Sequence, residues 1–185
     1  MKNKMQLNKI SKSPIDILEN TKQYLRVLDD TQDTLISTHI QAHIDDFEEY
    51  TNIDLSTTTY EMYLPHLTSI TLLPKAQIQN IVKIQTMKHD YTYEDIDNSQ
   101  YFLYEELGLH YLQSNIIFTP ILNNHPKYIK ITFQAGHTTT PALILNYLYA
   151  CIGSDFDGTV LAPHIKNIKK SSKVHINLKN LQRSI

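Results

Sequence analysis

The sequence predicts an α+β fold with an N-terminal helix pair, a mostly antiparallel β-sheet, a C-terminal helix and an extended C-terminal arm. Three observations support this prediction. Apolar residues recur at helical spacing before Asn52, short stretches rich in Thr, Tyr and Ile fill 57–134, and a strongly apolar stretch follows Pro141. Because the helices and strands are segregated along the chain rather than alternating, an antiparallel sheet is favoured over a parallel one.

Two helices are expected in 14–51. Ser13-Pro14 opens the first, which runs to about Leu28, and Asp29 and Asp30 end it and offer a cap for a second helix over 31–51. The second helix has one apolar face, formed by Ile36, Ile40, Ile44 and Phe47. Asn52 is the expected turn residue at its end, because Asn adopts the left-handed conformation more easily than most residues.

Acidic residues crowd the C-terminal end of this second helix, at Asp45, Asp46, Glu48 and Glu49. Negative charge is unfavourable at the negative end of a helix dipole. We therefore expect a cationic group from outside the chain to meet these residues.

The strands follow from alternating apolar and polar residues and from the prolines that end them. Residues 105–108 form a predicted hairpin turn, and 89–98 is predicted as a loop. The predicted strands are 57–64, 69–73, 81–87, 100–104, 109–112, 116–119 and 128–134.

The last helix is predicted over 141–153, after a break at Gly136, with Thr140 as cap and Gly153 as stop. Its apolar residues surround it almost completely, so every side must be covered. We expect one side to pack on the sheet and another on a second copy of the chain. The predicted subunit-interface residues are Leu143, Leu145, Tyr147, Tyr149 and Ile152, together with His43.

The chain has basic ends around an acidic body. Residues 1–13 hold four lysines and no acid, and are predicted to be disordered. Residues 154–185 are predicted as a basic arm that docks on an acidic protein surface or touches DNA phosphates, unless both ends are simply solvated tails. The predicted partner-binding residues of the arm are Lys166, Lys169, Lys170, Lys173, Lys179 and Arg183.

Two motifs could carry chemistry. The segment Asp155-Phe156-Asp157-Gly158-Thr159 resembles the first motif of haloacid-dehalogenase-type phosphatases, which would use Mg²⁺ and both aspartates, but it follows a helix rather than a parallel strand. His39 and His43 could share a metal with Asp46, although a packed or interface histidine fits the apolar face better. We therefore predict no catalytic residue, no metal site and no cofactor; the glycine content is too low for a nucleotide-binding loop.

Cysteine usage and hydropathy indicate the compartment. The single cysteine, Cys151, excludes an internal disulfide and favours a reducing compartment, with a packing role for the thiol. A secretion signal is not expected, because the N-terminus lacks an apolar region. A membrane partner is not expected either, because no apolar run is long enough to span a bilayer.

Four motifs in order resemble the head–tail connector (adaptor) family of long-tailed phages and gene transfer agents. The helix end Tyr24-Leu25-Arg26-Val27 and the turn Tyr50-Thr51-Asn52-Ile53 are similar to the first two, with Asn52 in place of glycine. Leu73-Pro74 followed by Ile78, Ile81 and Ile84 resembles the third. The segment from Ile129 to Pro141, with His137 in place of an aromatic residue, resembles the fourth.

The resemblance covers about 14–153, the expected connector domain, and implies a structural protein rather than an enzyme. It implies a homo-oligomeric ring of twelve copies in the virion neck, bound to the portal protein above and to a stopper or tail-completion protein below. DNA would pass through its lumen without sequence recognition. In such a ring, the acidic end of the second helix would either meet a neighbour's basic arm or line the lumen and repel DNA. Another neck component, such as a stopper, is the alternative, and a small Mg²⁺-dependent phosphatase is a weaker one.

Overall fold

The computed structural model of the chain describes residues 5–115, 125–159, 161 and 163–172. These residues form two compact units, and the expected bounds of the connector domain, 14–153, stay a prediction. The sheet unit contains the residues up to Ser13 and Thr57–Gly136, and the helical unit contains Pro14–Ser56 and the described residues from His137 onward. Both units are therefore assembled from segments that are distant in sequence.

The sheet unit contains eight described strands in two sheets, and every pair of neighbouring strands is antiparallel. One sheet has five strands in the order β1-β2-β8-β4-β5, and the other has three in the order β3-β7-β6. The α+β class and the antiparallel sheet are thereby confirmed. The strands are β1 Gln6–Lys12, β2 Thr58–Leu64, β3 Ile70–Leu72, β4 Ile78–Met87, β5 Tyr93–Asp95, β6 Tyr101–Glu106, β7 Leu109–Ser114 and β8 Ile129–Ala135.

Two strands lie where the sequence predicts none. The N-terminal segment, expected to be disordered, forms the edge strand β1, because Met5 and Leu7 pack against the core while the backbone pairs with β2. The expected loop at 89–98 contains β5, which pairs with the end of β4. The predicted strand at 116–119 lies outside the described residues.

The two sheets share one apolar core. Ile129, Ile131 and Phe133 of β8 are completely buried, as the alternation in that strand predicts. Leu112 of the three-stranded sheet belongs to the same cluster, so this core joins the two sheets. Gly136 ends β8 with a φ of 96°, and its backbone N–H donates to the carbonyl oxygen of Gln77 at 2.9 Å.

The helical unit contains the expected helix pair, the C-terminal helix and one more helix. They are α1 Leu18–Leu25, α2 Asp33–Thr51, α3 Ala142–Asp157 and α4 Pro163–Ser171. Asn52 ends α2 in the left-handed conformation, with a φ of 59°, as predicted. The cap predicted from Asp29 and Asp30 is absent from α2, because the Asp29 side chain instead accepts hydrogen bonds from Thr31.

Helix α3 differs from its prediction at both ends. Gly153 lies inside the helix, and Gly158 ends it with a φ of 64°. The Thr140 hydroxyl does not cap α3 but donates to the Leu55 carbonyl oxygen at 2.8 Å. The expected arm at 154–185 therefore begins with the last residues of α3 and continues, in its described part, as α4.

The core of the helical unit is built by helix packing. Ile36 and Phe47 of α2 are completely buried, and so are Leu148 and Ile152 of α3. We expected α3 to pack on the sheet, but its buried side chains belong to this helical core. The reason is that the wide apolar surface of α3 fits the apolar face of α2 and the short helices around it.

Candidate assembly surfaces

The acidic end of α2 is met by a lysine of the same chain. Lys169 Nζ of α4 lies 2.5 Å from Asp46 Oδ2, and the same ammonium lies 4.7 Å from the centre of the Tyr50 ring. A cationic group does meet this end, but α4 of the same chain supplies it, whereas we expected one from outside the chain. Glu48 has a different role, because its Oε1 accepts a hydrogen bond of 2.9 Å from the Leu55 N–H.

The two histidines of α2 face Asp155 of α3. His43 Nε2 lies 2.9 Å from Asp155 Oδ2, and His39 Nδ1 lies 3.9 Å from the same oxygen. The histidines are thus joined by Asp155 rather than by Asp46, and their pairing links α2 to α3. Among the described residues, no group of three or more metal-ligating side chains has the arrangement of a metal site.

The phosphatase-like segment does not have the setting that the chemistry needs. Asp155 and Asp157 lie in the last turn of α3, and Gly158 caps that helix. Such phosphatases hold the nucleophilic aspartate at the end of a parallel strand, whereas the strands described here pair antiparallel. The segment therefore serves as a helix end with a hydrogen bond between Asp155 and His43 of α2.

The predicted interface on α3 divides into two groups. Tyr147 and Ile152 are buried in the helical core of their own chain, so the interface prediction is wrong for these two residues. Leu145, Tyr149 and His43 are half-buried, and Leu143 is 60% exposed. For these four residues the interface role remains a prediction.

Buried groups of α3 are held in neutral form. Burial raises the pKa of the Cys151 thiol and of the Tyr147 hydroxyl, and the two side chains are hydrogen-bonded to each other.

Burial lowers the pKa of His137, which stands at the position where the connector family has an aromatic residue. A neutral imidazole ring fits that position, because it adds no charge to a partly apolar site.

The predicted basic arm is described only in its first half. Lys166 and Lys170 are exposed on α4, where they are accessible to a partner. Lys169 is 18% exposed and bound to Asp46, so this lysine is occupied within its own chain. Lys173, Lys179 and Arg183 lie outside the described residues.

The turn between α1 and α2 presents exposed apolar side chains and one guanidinium, at a surface that we call the α1–α2 corner and define by Tyr24, Arg26 and Leu28. Tyr24 is 55% exposed and Leu28 99% exposed, and Arg26 ends α1 in the left-handed conformation. Behind the corner, Lys22 Nζ lies 2.5 Å from Asp30 and 2.8 Å from Asp33. These hydrogen bonds raise the pKa of Lys22, so the corner is fixed by a charged lysine.

The hairpin of β6 and β7 is a second surface, and its character was missed in the sequence. The predicted turn is present, with Leu107 and Gly108 at its tip. Leu107 is 96% exposed and Phe102 is 46% exposed. The sequence did contain a signal for this surface. Leu103 faces the core, so Phe102 and Tyr104 on either side of it must face away from the core.

The family and the fold follow from comparisons with known proteins. Residues 15–106 match the sequence model of the family described as phage gp6-like head-tail connector proteins. The match confirms the resemblance to this family for the motifs within 15–106; the motif at 129–141 lies outside the matched residues. A comparison with curated proteins finds no match.

Solved structures with the same fold extend the comparison beyond the matched residues. A chain from the neck of an empty GTA particle computed with C6 symmetry has a TM-score of 0.76 at 14% identity, covering 92% of this chain and 97% of the other. A chain from the virion of a native gene transfer agent (GTA) particle has a TM-score of 0.72 at 15% identity, with 92% and 96% covered. A chain from the neck of a native GTA particle computed with C12 symmetry has a TM-score of 0.67 at 13% identity, with 92% and 97% covered. The fold of this chain is thus shared over nearly its whole length.

No helix in the described residues is long and apolar enough to cross a membrane.

Proposed function

We propose that this chain is a structural subunit of the neck of a phage or phage-like particle, where it forms a ring that joins the head to the tail. The observation that carries the proposal is the shared fold over 92% of this chain and 97% of a chain from a particle neck. The family match over residues 15–106 supports it independently. The chain would be made in the host cytoplasm and act in the virion.

Ring formation is the first specific part of the proposal. Structures of the related necks were computed with C6 and C12 symmetry, which suits a ring of twelve copies. The chain itself carries exposed apolar residues on both units, including Leu28, Leu107 and Leu143. Exposed apolar surface of this kind is typical of surfaces that bind other proteins.

Passage of DNA is the second specific part. Asp45 and Glu49 are exposed on α2, whereas Asp46 is neutralised by Lys169. A surface with residual negative charge repels the phosphate backbone, which suits DNA that slides past without sequence recognition. The exposed lysines 166 and 170, with the basic residues beyond Ser172, would dock on the portal protein or on a stopper or tail-completion protein.

An enzymatic role is not part of the proposal. Asp155 is engaged with His43 at the end of a helix. The buried Cys151 has a raised pKa and would be a poor nucleophile. We infer that the chain performs no catalysis and requires no cofactor.

The test is a mass measurement of the purified chain, alone and with the portal ring of the same particle. We expect a portal-bound species with twelve copies of the 21.5 kDa chain. A variant that ends at Ser172 should bind the portal more weakly while keeping the far-UV circular dichroism of the full chain. A chain that binds the tail side but never the portal would instead be a stopper. A chain that neither forms rings nor binds either partner would overturn the proposal.

A further inference from the structure

The tip of the β6–β7 hairpin carries a residue that nothing in the described part of its chain explains. The two-residue turn Leu107-Gly108 has φ values of 53° and 76°. Turns with two positive φ values favour Asn-Gly, because a branched apolar side chain is strained in this conformation. Leu107 is nevertheless 96% exposed, so its side chain gains no burial that would compensate for the strain. A partner that covers Leu107 would supply the missing reason.

The hairpin also has an uncovered apolar face behind its tip. On the inner face Leu112 is completely buried. On the opposite face, which we call the outer face, the rings of Tyr104 and Tyr111 stack with centres 5.3 Å apart. Phe102 and Ile70 lie on the same side in the strand register, and each is 46% exposed. The outer face therefore continues the apolar surface that Leu107 begins.

Charge decides how two copies can meet. Glu105 and Glu106 are both exposed beside Leu107. Burial lowers the pKa of the nearby His110, and the negative charge of Glu105 opposes that shift. A twofold contact between two hairpins would bring the acidic pairs together and be opposed by repulsion. A head-to-tail contact avoids this, and head-to-tail contacts are the ones that close into rings of more than two copies.

The α1–α2 corner has the complementary chemistry. It presents the exposed side chains of Tyr24 and Leu28 and the guanidinium of Arg26. Two of the nearby acids, Asp30 and Asp33, are bound by Lys22, which reduces their repulsion toward an incoming carboxylate. Asp29 accepts hydrogen bonds from Thr31, which lower the pKa of its carboxyl, so Asp29 stays ionised and Arg26 has to outweigh it for an incoming carboxylate.

We propose that the hairpin tip of one copy docks on the α1–α2 corner of a second copy, with Leu107 against Tyr24 and Leu28, and Glu105 or Glu106 against Arg26. The proposal rests on the ring formation proposed above and names the surfaces that build it. Leu107 provides the apolar anchor, and the charges give the contact its direction around the ring.

The sharpest variant is Leu107→Asn, because asparagine relieves the strain of the turn while removing the apolar anchor. We expect ring formation, measured by mass photometry across a concentration series on the portal ring, to weaken about tenfold to a hundredfold. The resistance of the isolated chain to denaturant should stay the same or rise. The matched control is Tyr91→Asn, which makes a similar change at another exposed residue with a positive φ of 64°. Rings that form equally well with Leu107→Asn would overturn the proposal.

Cross-linking identifies the partner surface. Chains carrying Leu107→Cys are mixed with chains carrying Leu28→Cys, and disulfide-linked dimers are counted on a non-reducing gel. We expect the mixture to cross-link at least about fivefold more than either variant alone, an estimate that assumes one dominant contact. Equal cross-linking of Leu107→Cys with itself would show a hairpin–hairpin contact and overturn the proposal. Rings without this cross-link would refute the surfaces but keep the proposed function, whereas the absence of any rings on the portal would refute both.

Discussion

The two units of this chain are stabilised in different ways. The sheet unit is held by backbone pairing along β2, β8 and β4 and by a core in which Ile131 and Phe133 are completely buried. The helical unit also has an apolar core, and polar side chains join its segments, as in the ion pairs Lys22–Asp30 and Lys169–Asp46 and the hydrogen bond between His43 and Asp155. Apolar burial is hardly affected by salt or pH, whereas ion pairs respond to both. We therefore expect salt to act on the helical unit through its ion pairs and to have little effect on the core of the sheet unit.

The largest expected effect is in the sheet unit. Phe133→Ala should lower the free energy of unfolding by about 3–5 kcal/mol, because it leaves a cavity in a fully buried site. The measurement is urea denaturation followed by circular dichroism.

Phe102→Ala is the matched control for that change. The same atoms are removed from a side chain that is 46% exposed, so a loss of less than about 1 kcal/mol is expected. Equal losses for the two variants would contradict the assignment of the core to the inner face of the sheets.

A smaller effect is expected at Glu48 in the helical unit. Glu48→Ala removes the carboxylate that accepts a hydrogen bond from the N–H of the completely buried Leu55. The free energy of unfolding should fall by about 1–3 kcal/mol. Glu48→Gln retains a side-chain oxygen at the same place and should cost less than about 1 kcal/mol. If glutamine were as damaging as alanine, the charge rather than the hydrogen bond would be the stabilising feature.

The smallest effect is expected at Lys169. Lys169→Gln should cost no more than about 1 kcal/mol, because Asp46 is 59% exposed and exposed ion pairs are weak. Hydrogen exchange of the α4 amides should nevertheless accelerate at low salt, since this pair joins α4 to α2.

Lys170→Gln is the control for that measurement, because Lys170 is an exposed neighbour on the same helix. Exchange that accelerates equally in both variants would show that the net charge of α4, rather than the pair with Asp46, is responsible.

The parts of the fold that could be predicted are those determined by local patterns. The alternation in β8 and the turn residue Asn52 were predicted correctly, because strand periodicity and left-handed helix ends depend on neighbouring residues. The edge strand β1 was missed, because its lysines outweighed the alternation of Met5 and Leu7. That strand exists because the edge of β2 is available to pair with it.

The candidate surfaces were less predictable, because they depend on contacts between distant segments. The pair His43–Asp155 joins residues 112 positions apart, and no spacing rule relates them. An apolar helix also does not reveal which of its residues the chain covers for itself, so Tyr147 and Ile152 were indistinguishable from the exposed Leu143. The exposed Leu107 becomes informative only when its turn conformation and its exposure are known together.

Gly153 is buried in α3, but its nearest side-chain neighbour is the half-exposed Tyr24 of α1. A Cβ atom at this position would lie 3.1 Å from Cε1 of Tyr24, closer than such contacts normally are. The absence of a side chain at Gly153 therefore lets the Tyr24 ring pack directly against the α3 backbone. The position of this half-exposed ring at the surface thus depends on a residue inside the unit. Gly153→Ala would displace the Tyr24 ring and so change the surface without altering any exposed residue.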